Sequence, residues 1–373
     1  MSLLSMPLRI TGARVLGDSG LAAGALTVSE GRISDGPAPE LALPGFDILP
    51  GIVDIHARPA GATSLAALDR QLAAQGITTA WVAQGWGWQG GAWAPEAAAD
   101  FLARHARHRL MAGTDLRVLL HCDTHMMDSE ARLLDLLERH AVRAVLFVDS
   151  LGDNALQIAP GQRATAGALR LRGGEVHRFL CNLAHAFDVM NIRSGSYGDR
   201  DGQSRERLAM MGAKICVAPA ASGAAAVARA WSDPVVLPAA GVTAAAPCPA
   251  LPDPRDLIPA GMCDALVSDG APEMLLPAAL QLVRNGTLPL AGAWSLISSR
   301  PAQVLGLGDR GRLSPGQRAD LVLLHRASST IAATMSAGRW IYRNPDFALS
   351  LHPTGPAPAT VPAAPAAPGR GAV

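Results

Sequence analysis

The stretch Leu49-Pro50-Gly51-Ile52-Val53-Asp54-Ile55-His56-Ala57-Arg58 decides the fold of this chain. Pro50 and Gly51 are typical of a turn, and Ile52 to Ile55 form an apolar run with the length of a buried strand. His56 follows at the point where that strand is expected to end. Because barrel enzymes keep their chemistry at the carboxyl ends of buried parallel strands, His56 is the first candidate site residue.

Strand-like runs alternate with helical patterns from residue 50 onward. The eight candidate strands are Ile52–Ile55, Ile77–Val82, Leu116–Leu120, Val142–Val148, Val189–Ile192, Lys214–Val217, Val235–Leu237 and Ala265–Val267. Eight strands alternating with helices over about 250 residues match the size of a (β/α)8 barrel. We therefore predict an α/β fold with a (β/α)8 TIM-like barrel over residues 50–308.

The two ends of the chain carry a different pattern. Residues 7–49 and 309–345 contain short strand-like runs separated by turns, and each end alone can form only half a sheet. We predict that they meet in one small β-sandwich domain. Residues 346–373 are rich in proline and alanine, which predicts a disordered tail.

Composition and charge limit the classes of function. The chain has 373 residues, 49% of them hydrophobic, and a net charge of +1, which argues against nucleic acid or an anionic membrane as the main partner. No apolar run reaches the ~18 residues that span a bilayer, and the N-terminus lacks the apolar region of a signal peptide. The five scattered cysteines fit reduced thiols. We expect a cytoplasmic protein that binds a small-molecule substrate, with homo-oligomer formation left open.

Two motifs resemble those of a known family. The stretch Leu49–His56 resembles the opening strand of the amidohydrolase superfamily, in which Pro-Gly, an apolar run and His-x-His begin a metal site. The pattern G-x-L-x-x-G-x-x-A-D-L-V over Gly311–Val322 resembles a second trait of that superfamily. Within it, the chain is most similar to the alkylphosphonate-utilisation hydrolases, through runs such as Val267–Pro272 and Arg300–Leu307. The resemblance, over roughly residues 8–345, implies a metal-dependent hydrolase of phosphonate metabolism with a phosphorylated substrate.

The resemblance also implies a ligand set, which this chain has altered. His56 and Asp269 match ligand positions, and Asp123 stands where a glutamate is expected. Arg58 replaces the second histidine of His-x-His and cannot coordinate a cation, because its guanidinium group keeps its proton. Two further histidine positions hold Ser150 and Tyr197. The set predicts one divalent metal, zinc or manganese, or none, with Asp269 and Arg58 as the catalytic candidates.

Each of these candidates has an alternative interpretation. His56 is either a metal ligand or a hydrogen-bonding group at the mouth of the barrel, and Asp269 is either a site residue or the cap of the next helix. Arg58 either forms a salt bridge with Asp123 or Asp269 in place of a metal, or binds an anionic group of a substrate. Of His121 and Asp123, we expect only one to point into the barrel, and we select Asp123 as the ligand.

The candidate substrate-binding residues lie on two segments. Tyr197 and Asp199 belong to a segment in which turn formation is the alternative to a role in the site. Trp86 and Trp88 belong to the Gly/Trp-rich segment Gln84–Trp93, which follows the second strand. Their rings either stack on a ring-bearing ligand or pack on the rim of the barrel.

Three functions remain from the sequence. The first is a hydrolase of the amidohydrolase superfamily with an altered metal site and an unassigned substrate. The second is a non-catalytic barrel that binds a small anionic ligand or a protein partner. The third and weaker hypothesis is an unchanged ribose methylphosphonate triphosphate diphosphatase. All three stay open, because a fold does not by itself fix a function.

Overall fold

The computed structural model of the chain describes residues 7–58, 64–152, 158–248 and 251–350. Its strands form one eight-stranded sheet and two smaller sheets, which we number along the chain. Over the described ranges, no helix combines the length and the apolar character needed to cross a membrane.

The two ends of the chain build the smaller sheets. Their strands are β1 (Leu8–Thr11), β2 (Arg14–Gly17), β3 (Gly20–Ala23), β4 (Leu26–Ser29), β5 (Arg32–Ser34), β6 (Glu40–Ala42), β7 (Phe46–Pro50), β16 (Leu321–His325), β17 (Thr330–Ser336) and β18 (Arg339–Arg343). The strand orders are β5-β4-β1-β6 and β18-β17-β16-β7-β2-β3. The ends join directly, because β16 pairs antiparallel with β7 and places Leu323 opposite Ile48. Both side chains are fully buried in one hydrophobic cluster with Ile10.

The eight-stranded sheet confirms the predicted α/β fold with a parallel barrel sheet. Each strand pairs in parallel with the next one along the chain. The strands are β8 (Ile52–Ala57), β9 (Ile77–Trp86), β10 (Asp115–Asp123), β11 (Ala144–Val148), β12 (Arg193–Tyr197), β13 (Cys216–Val217), β14 (Val235–Pro238) and β15 (Ala265–Val267).

Helices connect these strands and cover the sheet. They are α1 (Leu65–Ala74), α2 (Pro95–His108), α3 (Glu130–Arg139), α4 (Arg163–Leu171), α5 (Gly173–Val189), α6 (Gly202–Met210), α7 (Ser222–Ala230), α8 (Ala240–Thr243), α9 (Pro254–Leu257), α10 (Leu275–Arg284), α11 (Leu290–Ser295), α12 (Ser299–Val304) and α13 (Pro345–Ser350). Short 3-10 turns occupy Gly91–Trp93, Met127–Ser129, Pro160–Gln162 and Pro272–Met274. Local sequence explains several boundaries. For example, the Ser64 hydroxyl caps α1 by accepting from the Ala67 N–H.

The first and last strands of the barrel meet through a buried carboxylate. Asp54 Oδ1 accepts hydrogen bonds from the backbone N–H of Ser268 at 3.1 Å and of His56 at 3.2 Å. Asp54 Oδ2 accepts from the Ser268 hydroxyl at 2.5 Å, and the Asp269 N–H donates to the His56 carbonyl at 3.2 Å. The carboxyl ends of β8 and β15 are therefore held together by side-chain and backbone contacts.

At the opposite end of these two strands, a separate segment fills the gap between them. The Val53 N–H donates to the Ile297 carbonyl at 2.9 Å, and the Leu266 N–H donates to the Leu296 carbonyl at 2.8 Å. Both segment residues are buried. The strand ends thus keep their backbone hydrogen bonds although the two strands diverge.

Apolar side chains fill the interior of the barrel below its carboxyl end. Alternate strand residues point inward, as the two-residue period of a strand requires. The largest of them are Val53, Ile55, Trp81, Leu119, Leu146, Ile215, Val217, Val236 and Val267. Ala302 and Leu305 pack against this cluster and close its lower end. The interior is therefore a packed core, which leaves the carboxyl end for the polar side chains.

The fifth strand differs from the prediction. Val189–Ile192 was the predicted strand, whereas α5 continues to Val189 and β12 begins at Arg193. The strand Arg-Ser-Gly-Ser-Tyr has no apolar alternation, so its sequence gives no strand signal. Gly195 is needed there, because a Cβ at this position would lie 2.5 Å from the Ile215 carbonyl oxygen.

The structure differs from the prediction of a disordered tail at residues 346–350. Residues 346–350 belong to α13, and Phe347 is buried against Phe46 and Trp340, with ring centroids 5.7 Å from each. One aromatic side chain thus orders this part of the segment despite its composition. The rest of the predicted tail, residues 351–373, lies outside the described residues.

We predict that Asp54→Ala lowers the free energy of unfolding by about 3 kcal/mol or more, because it leaves three buried donors without an acceptor at roughly 1–3 kcal/mol each. Urea unfolding followed by circular dichroism measures this loss. Asp18→Ala, at an exposed turn, is the control and should stay within about 0.5 kcal/mol of the parent. Equal stabilities for the two variants would contradict the role of Asp54 in joining the strands.

Candidate functional site

Four side chains meet inside the barrel at the carboxyl ends of its strands: His56 on β8, His121 on β10, Tyr197 on β12 and Asp269 just after β15. The Nε2 atoms of His56 and His121 are 2.8 Å apart. His56 Nδ1 lies 3.2 Å from Asp269 Oδ1, and the Tyr197 hydroxyl donates to Asp269 from 3.2 Å. The rings of His56 and Tyr197 stack with their centroids 5.0 Å apart. We call these four residues the central cluster.

A β-bulge turns His56 into the barrel. With strict alternation, Val53 and Ile55 would point inward and His56 outward. The pairing of β8 with β9 shifts between Asp54 and Ala57, which places one extra residue in β8. A bulge of this kind bends the strand and redirects a side chain. His56 is consequently fully buried and contacts residues of three other strand ends.

The charge states within the central cluster follow from burial. Burial, followed by the charges of His56 and Arg58, holds the pKa of His121 well below its ordinary value, so this ring is neutral at pH 7. A neutral His121 suits the contact with His56, because only one proton can lie between two Nε2 atoms. Burial also raises the pKa of the Tyr197 hydroxyl to about 12, with the charge of Asp269 as the next cause.

Asp269 is the charged group of the central cluster. Burial is the largest influence on its pKa and acts to raise it, but contact with His56 and the charge of Arg58 outweigh burial and lower the pKa. The His56 Nδ1 atom is close to the carboxylate without the alignment of a hydrogen bond, so it is buried without a well-directed partner. Asp269 has a left-handed backbone, with φ of 46°, and its carboxylate contacts the cluster and not the next helix.

The structure corrects the expectation for His121 and Asp123. Only one of them was expected to point into the barrel, but residues two apart on a strand share a face, so both point inward. Leu120 and Cys122, the residues that alternate with them, pack in the outer hydrophobic layer instead. His121 is therefore a member of the central cluster that the sequence interpretation missed. Correct use of the strand period would have found it.

Asp123 occupies a separate polar environment beside the central cluster. Its Oδ2 accepts hydrogen bonds from Gln89 Nε2 at 3.0 Å and from the Ser150 hydroxyl, and its Oδ1 accepts from the His125 N–H at 2.9 Å. The Asp123 side chain is fully buried. Protein donors thus occupy both oxygen atoms of this predicted metal ligand, and Ser150 is one of them.

Arg58 lies at the mouth of the site. Its Nη1 is 3.5 Å from Asp269 Oδ1, and 51% of its side chain is exposed. Of the two carboxylates expected to pair with Arg58, Asp123 and Asp269, the structure places Asp269 beside it. Since half of the side chain remains open to solvent, its outer donors are accessible to a ligand.

The tryptophans of segment Gln84–Trp93 take three different positions. Trp86 points away from the interior, where its Nε1 donates to the Ser129 hydroxyl at 2.9 Å, so it does not contact the central cluster. Trp88 Nε1 donates to the Ser150 hydroxyl at 3.0 Å and reaches the surroundings of Asp123. Trp93, which the sequence interpretation did not select, has its ring centroid 5.9 Å from that of His121. The sequence feature connected with the position of Trp93 is Gly85. A Cβ at residue 85 would lie 2.5 Å from the Trp93 ring, so glycine leaves room for it.

Asp199 lies outside the barrel interior, between β12 and α6. Its Oδ2 accepts from the Ser196 hydroxyl at 2.6 Å and lies 3.6 Å from Nη1 of Arg205. Arg205 is completely buried and also pairs with Asp233. Burial raises the pKa of Asp199 despite these partners. Asp199 thus belongs to a buried ion network that packs α6 on the sheet, apart from the central cluster.

The donor set does not fit a divalent metal in this arrangement. Zinc requires three or four donor atoms that converge at about 2.0–2.3 Å. No group of three or more histidine, cysteine, aspartate or glutamate side chains among the described residues is placed to hold a metal ion. His56 Nδ1 and Asp269 Oδ1 would suit a cation, but Arg58 brings a positive charge to the same carboxylate. The two facing Nε2 atoms are also closer than the ~3.3 Å of two tetrahedral zinc ligands.

The fold and the central cluster define a (β/α)8 barrel protein with polar side chains at the carboxyl ends of its strands. No family model matches the sequence. It is 41% identical over 78 residues to an α-D-ribose 1-methylphosphonate 5-triphosphate diphosphatase of Escherichia coli K12, a match covering 20% of this chain and 21% of that protein. It is 40% identical over 124 residues to an imidazolonepropionase of Deinococcus deserti, covering 31% of each. These matches span less than a third of each relative.

Solved structures extend the similarity over nearly the whole chain. A β-aspartyl dipeptidase from Fervidobacterium islandicum AW-1 superposes with a TM-score of 0.65 at 15% identity, covering 91% of this chain and 97% of that one. At this identity the likeness establishes the fold. Together with the sequence matches, it supports the amidohydrolase superfamily as the class of this chain.

We predict that His121 makes the metal-free protein less stable in acid. Its folded pKa is depressed, so its contribution is complete above the unfolded pKa of about 6.5 and is lost as the pH falls below it. In EDTA, His121→Gln should reduce the slope of unfolding free energy against pH between 6 and 5 by up to about 1.4 kcal/mol per pH unit. The exposed His185→Gln is the control, and an unchanged slope in His121→Gln would contradict the assignment.

The ion network around Asp199 gives a second prediction. Arg205→Leu should lower the free energy of unfolding by about 3–5 kcal/mol, because it leaves buried carboxylates without their cation. Arg207→Leu, two residues away in the same helix but exposed, should change it by no more than about 0.5 kcal/mol. Guanidinium unfolding of both variants measures the difference, and similar losses would argue against the network.

Proposed function

We propose that the chain is a hydrolase of the amidohydrolase superfamily that acts on a small molecule at the central cluster, through altered chemistry at the former metal positions. The observation that carries this proposal is the contact of Asp269 with both His56 and Tyr197. It joins a carboxylate, an imidazole and a phenol, which are proton-transfer groups, at the end of the barrel where such folds hold their active sites.

The proposed roles follow from position and charge. Asp269, ionised and partly exposed, accepts a proton from an attacking water molecule, and His56 Nδ1, 3.2 Å away, shares that proton. The Tyr197 hydroxyl remains protonated because its pKa is about 12, so it can donate to an oxygen that gains negative charge. Arg58, with half of its side chain exposed, binds an anionic group of the substrate.

We propose that the substrate extends from the central cluster into a cavity lined by Tyr197; His56, Asp269 and Arg58 do not line this cavity. Its volume is about 350 Å³, and apolar side chains of α5 and α6, including Leu180 and Leu208, line one wall. His125 and Arg207 line it as well. This volume lies at the lower end of the range of small-molecule sites, roughly 300–1,000 Å³. We therefore propose a small substrate with an apolar part and an anionic group.

The second candidate is a non-catalytic barrel that binds a small anion. Two observations favour it: protein donors occupy both oxygen atoms of Asp123, and Arg58 already contacts Asp269. The third candidate, the triphosphate diphosphatase, rests on the match over 20% of the chain. A substrate panel separates the three, because only the third requires rapid hydrolysis of a ribose triphosphate ester.

We predict that Asp269→Asn lowers kcat/KM by at least about 100-fold, the usual contribution of a positioned acid–base group. The protein should be assayed on amide, cyclic amide, β-aspartyl dipeptide and phosphoanhydride substrates, each with zinc or manganese and after dialysis against EDTA. Asp188→Asn, an exposed change on α5, is the control. Activity that survives EDTA and is lost in Asp269→Asn supports the proposal.

Other outcomes would select another candidate. Activity that appears only with bound metal would show that the cluster rearranges around a cation. Absence of hydrolysis over the whole panel, with anion binding that Arg58→Gln removes, would favour the non-catalytic barrel.

A further inference from the structure

A basic cleft of about 440 Å³ lies at the end of the barrel opposite the central cluster. The first residues of β10, the segment just before β11 and the hairpin of β17 and β18 surround it. Five arginines line it, namely Arg109, Arg117, Arg143, Arg318 and Arg339. Asp115 is the single carboxylate among the lining residues, which leaves four positive charges when arginine and aspartate are counted. That local excess is larger than the net charge of +1 of the whole chain.

Two of the five arginines form the fixed inner part of the cleft. Arg117 Nη2 pairs with Asp115 at 3.0 Å, and its guanidinium lies over the Trp81 ring at 5.2 Å from the centroid. Arg318 Nη1 pairs with Asp320 at 2.6 Å and has a mostly buried side chain. These pairs hold both guanidinium groups in place, so a ligand would meet donors that are already positioned.

Three of the arginines keep their charge unneutralised at the rim. Arg109 and Arg339 are exposed and, among the described residues, have no side-chain hydrogen bond or ion pair. Arg143 is also exposed and donates only to the Val142 carbonyl at 3.1 Å. Three unpaired guanidinium groups around one small cleft repel each other, and an anion between them would relieve that repulsion.

We infer that this cleft binds a small anion that carries two or more phosphoryl groups. Each phosphoryl group offers several oxygen atoms to planar guanidinium forks, whereas a single carboxylate could satisfy only one such fork. The volume of the cleft is that of a small-molecule site. Because β10, the segment before β11 and the hairpin of the terminal sheet all contribute, a bound anion would also connect the barrel to that sheet.

Inorganic pyrophosphate is the probe for this inference. Isothermal titration of the full chain should show one saturable site whose affinity falls as salt concentration rises, because the contacts are ionic. The triple variant Arg109→Gln, Arg143→Gln, Arg339→Gln should bind about 1,000-fold more weakly, at roughly tenfold for each of the three lost charged hydrogen bonds. Since these side chains are exposed and their mutual repulsion is removed, its melting temperature without ligand should equal or exceed that of the parent. If the triple variant does not fold, Arg339→Gln alone should bind about tenfold more weakly.

Two variants separate this cleft from other basic groups. The exposed Arg178→Gln on α5 is the control and should bind pyrophosphate as the parent does, whereas Arg58→Gln tests whether the anion binds beside the central cluster instead. Binding that is lost in Arg58→Gln, or that survives in the triple variant, would overturn the inference. Single-stranded RNA that binds more tightly than pyrophosphate, with that binding lost in the triple variant, would also overturn the inference, because the ligand would then be a macromolecule. The inference does not depend on the proposed hydrolase activity.

Discussion

Closure of the barrel depends on the hydrogen bonds that one buried carboxylate, Asp54, accepts from Ser268 and His56. A parallel barrel needs its last strand to meet its first, and here the two strands diverge at their lower ends, where Ile297 fills the gap. The contacts of Asp54 hold the upper ends together. Because Asp54 sits where the bulge of β8 begins, the same contacts fix the direction of His56 and place Asp269 beside it.

The central cluster shows how one arginine beside a carboxylate affects the chemistry available at the mouth of a barrel. Arg58 contributes a fixed positive charge beside Asp269, and this charge favours the ionised carboxylate while it disfavours a cation at the same place. With His121 neutral and the Tyr197 hydroxyl protonated, the cluster holds protons at defined positions. Such an arrangement suits proton transfer and anion binding more than metal coordination.

The two ends of the barrel place their charged side chains in different environments. At the carboxyl ends of the strands, Asp123 is enclosed by donors from the protein, and the partly exposed Asp269 contacts Tyr197 and Arg58. At the opposite end, Arg109, Arg143 and Arg339 remain without carboxylate partners among the described residues. The packed apolar interior separates the two ends, so ligands at each would act on different parts of the molecule.

The sequence by itself determined the alternation of strands and helices and the positions of His56 and Asp269 at strand ends. These features follow from local hydrophobic periodicity and turn residues, which each short segment carries in itself. Only the tertiary structure decided that Trp86 packs outside, that Asp199 joins a buried ion network and that β12 begins at Arg193. The physical reason is that the bulge in β8 and the pairing register depend on contacts between strands far apart in sequence, which no local pattern encodes.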